Sequence, residues 1–257
     1  MNLSLLSRSE SGGVLFFVLC MCSLLGFFLS ASRRGKSEWR RSRPLPVFIQ
    51  LQRAIILAVE SGMRIHISLG TSDLYGIKGM PAIVGTRLLQ TLARETVRSD
   101  RPVLATCGDG MVGILSGDVQ RAASERAATP EVYSSQLSQV NGLTPFSYVV
   151  GAQPVIEENQ VAYSLCIGHF GGEVGLLIEA CERGGTEIAG SSDDPVAQSI
   201  LFAAATEEMV AEDLYVAGFS LNPDPFQWAT VQTIDLMRWV VIGLIMVGVI
   251  LQLFGIL

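Results

Sequence analysis

Histidine is nearly missing from this chain, and the Cys-x-x-Cys spacing is missing altogether. The two histidines are His66 and His169, and no Cys-x-x-Cys occurs among the five cysteines, so no metal site is indicated. Cys20 and Cys22 share one apolar run, while Cys107, Cys166 and Cys181 are scattered; an odd, unpatterned set reads as buried thiols rather than disulfides. Basic residues are scarce through the middle of the chain. Between Pro44 and Leu236 there are ten of them against twenty-two acidic residues, a balance that repels phosphates and excludes nucleic acid as a partner. Lys78 is the only lysine of that stretch.

Charge is wholly absent from two segments. Residues 13–31 pass from Gly13 through Phe16, Phe17, Leu24, Leu25 and Phe28 to Ala31 without a charged side chain. Residues 239–257 do the same from Trp239 to Leu257, interrupted only by the polar Gln252. At about 1.5 Å per residue, a helix of roughly 19 residues crosses the hydrocarbon layer of a bilayer, so both segments are expected to be transmembrane helices. A cleaved signal peptide would carry its basic residues ahead of the apolar run. Here Arg8 is offset by Glu10, and Arg33, Arg34, Lys36, Arg40, Arg41 and Arg43 follow it, which favours a retained anchor.

That basic cluster is expected to stay in the cytoplasm, with both termini outside and the acidic middle cytoplasmic. Four parts result: a transmembrane helix over 13–31, a basic juxtamembrane linker over 32–45, a domain over 46–225 and a transmembrane helix over 239–257. The linker serves as a topology signal and suits anionic lipid headgroups.

Within the middle, short aliphatic runs alternate with glycine-rich turns and longer helical patterns. Pro46 opens and Gly62 closes a helix; strands are expected at Arg64–Leu69, Arg101–Cys107, Leu137–Val140, Val161–Ile167 and Thr186–Ala189, with an edge strand at Leu214–Leu221. Helices are expected from Pro81 to about Arg98, after the loop Gly108-Asp109-Gly110 towards Ala127, after Thr144-Pro145, over Glu173–Arg183 and after Asp194-Pro195. The strands lie too far apart for hairpins, so the fold class is α/β: a Rossmann-like, mainly parallel sheet with flanking helices, between two transmembrane helices.

In such a sheet ligands sit beyond the carboxyl ends of the strands. The first such loop carries Gly70, Thr71, Ser72, Gly76, Lys78 and Gly79, whose backbone amides and single cation could wrap an anion. Against this, no Gly-x-x-x-x-Gly-Lys-Ser/Thr run or Gly-x-Gly-x-x-Gly fingerprint is read after any strand, and glycine in such loops more often just permits a tight turn. Asp109 in Cys107-Gly108-Asp109-Gly110 suits a ribose hydroxyl or a general base; a helix cap is its more ordinary role. Asp194 before Pro195 reads as a cap, and Glu207, Glu208, Glu212 and Asp213 as a solvated acidic face. His169 could pair with Glu173 as acid and base, whereas His66, inside a strand, reads as structural. Cys166, in an apolar strand, reads as a small hydrophobe rather than a nucleophile.

Three runs carry a family resemblance: Arg101-Pro102-Val103-Leu104, Glu187-Ile188-Ala189-Gly190 leading into Ala197-Gln198, and Glu212-Asp213-Leu214-Tyr215-Val216-Ala217. On them the domain and the closing apolar segment resemble the domain of unknown function 6754 family, a bacterial membrane-anchored group. The resemblance implies a cytoplasmic α/β domain held near the bilayer and supplies no catalytic residues or cofactor. The resemblance leaves function unassigned; anchors at both ends, Gly243 and Gly248 permitting close helix packing, and no recognisable catalytic constellation lead to the expectation of a scaffold or ligand-sensing subunit, partnered by the bilayer and by itself or other membrane proteins. The competing expectation is an enzyme or transport accessory that binds a nucleotide or phosphate ligand.

Overall fold

The domain is built by alternating strand and helix, and the alternation follows directly from where the β-branched runs and the glycine turns fall. The computed structural model describes residues 19, 21–26, 46–75, 79–209, 233, 236–246 and 248. They fall into two units, one over Arg43–Asn222 and one comprising Met1–Ser42 with Pro223–Leu257.

In the first unit the order is α1 (Pro46–Ser61), β1 (Arg64–Gly70), α2 (Gly79–Thr96), β2 (Leu104–Cys107), α3 (Gly110–Arg126), β3 (Ser138–Val140), α4 (Pro145–Glu158), β4 (Val161–His169), α5 (Val174–Gly184), β5 (Glu187–Ser192), α6 (Pro195–Ala204) and β6 (Glu207–Glu208). Five parallel strands, extended at one edge by the two-residue β6, make a sheet in the order β3-β2-β1-β4-β5-β6. This is the doubly wound order, with the change of winding direction between β1 and β4.

Strand alternation divides the core into two layers. Ile65, Ile67 and Leu69 of β1 and Tyr163, Leu165 and Ile167 of β4 pack with Ile55 and Ala58 of α1 and Leu88, Leu89 and Leu92 of α2. On the opposite face Cys166 and Ile188 meet Val149, Ala152 and Ile156 of α4, Leu177 and Ile178 of α5 and Leu201 of α6. Because both faces are covered, the strands must be apolar or internally hydrogen-bonded throughout. Each Leu or Ile so buried contributes about 1.5–3 kcal/mol relative to exposure.

Local chemistry fixes the element ends. Asp109 and Asp194 cap α3 and α6, each accepting from two backbone amides of the first turn. Thr144 and Ser147 form a reciprocal capping box before α4. Gly185, at φ +67°, closes α5 in the left-handed conformation that glycine adopts without steric cost. The expected strand from Arg101 begins only at Leu104, since Pro102 has no amide hydrogen to give a ladder. Glu207–Glu208, read from sequence as acidic surface, forms the edge strand by pairing with Ala189 and Gly190. The strand expected at Leu214–Leu221 lies outside the described residues.

In the second unit residues 21–26 and 236–246 are helical. Gly26 is buried, and a Cβ added to it would run into Leu236 and come near Thr233, so the two helical stretches touch there. Among the described residues no helix is long and apolar enough to cross a membrane. Most of 13–31 and the later half of 239–257 lie outside them.

Candidate functional site

The crevice between β1 and β4 is where this winding places a ligand, and four of the expected residues meet there. Gly70 pairs in register with His169. Thr71 donates its amide (2.9 Å) and its hydroxyl (3.3 Å) to the His169 carbonyl, and the Ser72 hydroxyl accepts from the His169 amide at 2.7 Å. Gly70 has φ +63°, and a Cβ there would run into that same carbonyl. Thr71 and Ser72 therefore tie the ends of the two central strands together rather than pointing at open space. Lys78 and Gly76 lie outside the described residues.

His169 does not pair with Glu173. Its Nδ1 lies 2.7 Å from Asp193 Oδ1, and both side chains are about one-fifth exposed. Glu173 is buried instead against its own loop, accepting from the Gly171 amide at 2.8 Å. The reason is geometric: β5 lies beside β4, so the residue following β5 reaches His169 sideways, whereas Glu173 has already turned into α5. Sequence spacing alone does not reveal this neighbour; the strand order does.

The expectation that no Gly-x-Gly-x-x-Gly spacing follows a strand is corrected at the second loop. Gly108-Asp109-Gly110-Met111-Val112-Gly113 has the Gly-x-Gly-x-x-Gly spacing, follows β2 and opens α3. Its glycines behave as that spacing requires. A Cβ on Gly108 would lie 2.8 Å from Thr71 Cγ2 and 3.3 Å from the Gly70 carbonyl; one on Gly110 meets nothing within 4 Å; one on Gly113 would run into Val140. Turn, open approach and close helix–strand packing are thus all present. The amides that would cradle a phosphate are occupied, however: Asp109 Oδ1 accepts from Met111 and Val112 at 2.9 Å each.

Carboxylates dominate this rim. The loops leaving β1, β2, β4 and β5 carry Asp73, Asp109, Glu173, Asp193 and Asp194 and, among the described residues, no lysine or arginine. Asp73 Oδ1 is buried without a hydrogen-bond partner among those residues. No group of three histidine, cysteine or acidic side chains among them is placed to hold a metal ion.

Beneath the crevice a buried polar chain crosses the sheet. His66 bonds Ser164 Oγ through Nδ1 and Thr106 Oγ1 through Nε2, both at 2.9 Å. Thr106 Oγ1 continues to Tyr148 OH at 2.9 Å, and that hydroxyl meets Ser68 Oγ. Burial drives the His66 imidazole down to about 3, so it is neutral, and drives the Tyr148 hydroxyl up. Burial likewise pushes Cys107 up to about 12, Cys181 up to about 11 and Cys166 well above the usual thiol range. These thiols are inert core groups.

The family model described as a domain of unknown function (DUF6754) matches residues 6–257. The chain belongs to that family. No curated protein and no solved structure matches it. In this DUF6754 member the two features with potential chemistry are therefore the His169–Asp193 pair and the glycine turn over Gly108–Gly113. Both lie at the carboxyl edge of the doubly wound sheet.

Proposed function

We propose that the chain is a membrane-anchored scaffold or ligand-sensing subunit of a membrane assembly. In this reading the Rossmann-like domain sits on the cytoplasmic side between transmembrane helices over 13–31 and 239–257, with both termini outside. The observation that carries it is the helical stretch 236–246. Leu236, Trp239, Val241, Ile242, Leu244, Ile245 and Met246 are each 41–71% exposed. At 100° per residue they cover the whole circumference of a helix. Apart from Arg238 near its start the stretch is apolar on every side, and water does not stabilise such a helix; hydrocarbon does. The basic run from Arg33 to Arg43 supports the orientation.

The test is alkaline carbonate extraction of membranes carrying the full chain, followed by protease protection of tags at each end. Retention in the pellet with both tags inaccessible from the cytoplasmic side is expected. Release into the supernatant would end the anchored reading.

A second reading, a nucleotide- or phosphate-binding enzyme or transport accessory subunit, is favoured by the glycine turn Gly108–Gly113. Asp109 occupies the Met111 and Val112 amides where the phosphate would go, so Asp109→Ala, which vacates them, should raise nucleotide affinity in isothermal titration if that turn is a ligand cradle. An unchanged, null titration counts against it.

A further inference from the structure

The two ends of the sheet are finished differently. At one end β5 is bordered by β6; at the other β3 is the last strand, and its outer backbone groups face no other strand among the described residues. Around β3 lie Ile114, Val140, Leu143, Phe146 and Val150, each 46–76% exposed. Two glycines gather them. A Cβ on Gly113 of α3 would run into Val140, and one on Gly151 of α4 into the Asn141 carbonyl, so both helices close onto the end of β3. Asn141 Nδ2 also donates to the Gly151 carbonyl at 2.9 Å, holding α4 there.

Charge selects what can cover this edge. From Ala127 to Ile156 the only charged residue is Glu131, and from Gly110 to Gly117 there is none, in a stretch of chain that is otherwise strongly acidic. A basic partner would be drawn to the carboxylate-bearing surfaces and would gain nothing here. A second copy, carrying the same excess of carboxylates, is repelled elsewhere and can approach closely only at an uncharged face. The edge is also self-complementary. A twofold axis sets β3 antiparallel to its counterpart, and each strand then offers the N–H and C=O groups that the other needs.

We infer that two copies of the chain associate edge to edge through β3, forming one sheet across a twofold axis, with Val140, Leu143, Phe146 and Val150 buried between them. The inference rests on the anchored reading in one respect. Confinement to a bilayer raises the local concentration of copies, so a three-residue strand and a few side chains suffice.

The experiment uses the full chain with Cys20→Ser and Cys22→Ser, in mild detergent and in membranes. Masses from native mass spectrometry should show a dimer. Val140→Asp with Phe146→Glu should give a monomer whose circular dichroism is unchanged, while Val196→Glu with Phe202→Glu on α6 should leave the dimer intact. Gln139→Cys, the centre of β3, should form a disulfide-linked dimer on mild oxidation in membranes, a readout that does not depend on a disruptive variant. A monomer that stays in the membrane pellet and gives no Gln139→Cys cross-link overturns the pairing and leaves anchoring untouched. A dimer that survives the β3 double variant overturns it too, placing association elsewhere. A soluble chain that still cross-links through Gln139→Cys sustains the pairing while removing the anchor.

Discussion

Acidification should destabilise this domain through one buried imidazole. His66 is wholly buried, bonded to two hydroxyls, and held near 3 by burial, against about 6.5 when the chain is unfolded. The unfolded state therefore binds a proton that the folded state refuses. Stability is fully present above about pH 6.5 and is lost as pH falls from there toward 3. Linkage gives a loss of about 2 kcal/mol by pH 5 and about 3 kcal/mol by pH 4, relative to pH 7. His66→Asn removes this titration but not those of the surface carboxylates. At pH 7 the variant should be weaker than wild type by about 1–3 kcal/mol, because Ser164 and Thr106 lose good partners. The gap should then close on acidification, and by pH 4 the variant should match or exceed wild type. Pulse proteolysis in urea on the full chain in mild detergent, from pH 7 to pH 4, measures both. Parallel curves for the two proteins would refute the assignment of a neutral, proton-refusing His66.

Three further outcomes follow from the same geometry. Gly70→Ala, forcing a Cβ against the His169 carbonyl at positive φ, should cost about 1–3 kcal/mol and lower the melting temperature of the domain. Asp109→Ala should cost about 1 kcal/mol by stripping the α3 cap, and Asp109→Ser should restore most of it in the same denaturation assay. Iodoacetamide at pH 8 should leave Cys107, Cys166 and Cys181 unmodified in the native protein and label them after unfolding, as mass spectrometry would register; native labelling of Cys166 would contradict its burial.

Much of the architecture is legible in the sequence because each element carries its own local signal. Pro46, Asp109, Thr144 and Asp194 open helices, Gly185 closes one, and the runs at Arg64–Gly70 and Val161–His169 are apolar enough to be central strands. The parallel arrangement follows from the helices between them. What is not legible is lateral adjacency. Asp193 reaches His169, and Tyr148 reaches both Thr106 and Ser68, only because strand order sets β5 beside β4 and brings α4 over β1 and β2. No spacing along the chain encodes those meetings. The glycine turn at Gly108–Gly113 is the opposite case: its spacing is plain, but it follows the second strand, whereas the doubly wound plan places such a turn after the first.

The central position of β1 has a consequence for how the chain is made. β1 finds one neighbour soon, in β2, but its other neighbour, β4, starts only at Val161. At about 5–20 residues per second, a ribosome leaves that second edge unpaired for roughly 5–20 s. During that wait α2 can already shield Ile65, Ile67 and Leu69 on one face. The other face shows His66 and Ser68, which water solvates readily until Ser164 and Tyr148 arrive. The polar stripe through the middle of the finished core thus keeps a half-made sheet from offering a second sticky face to its neighbours on the polysome.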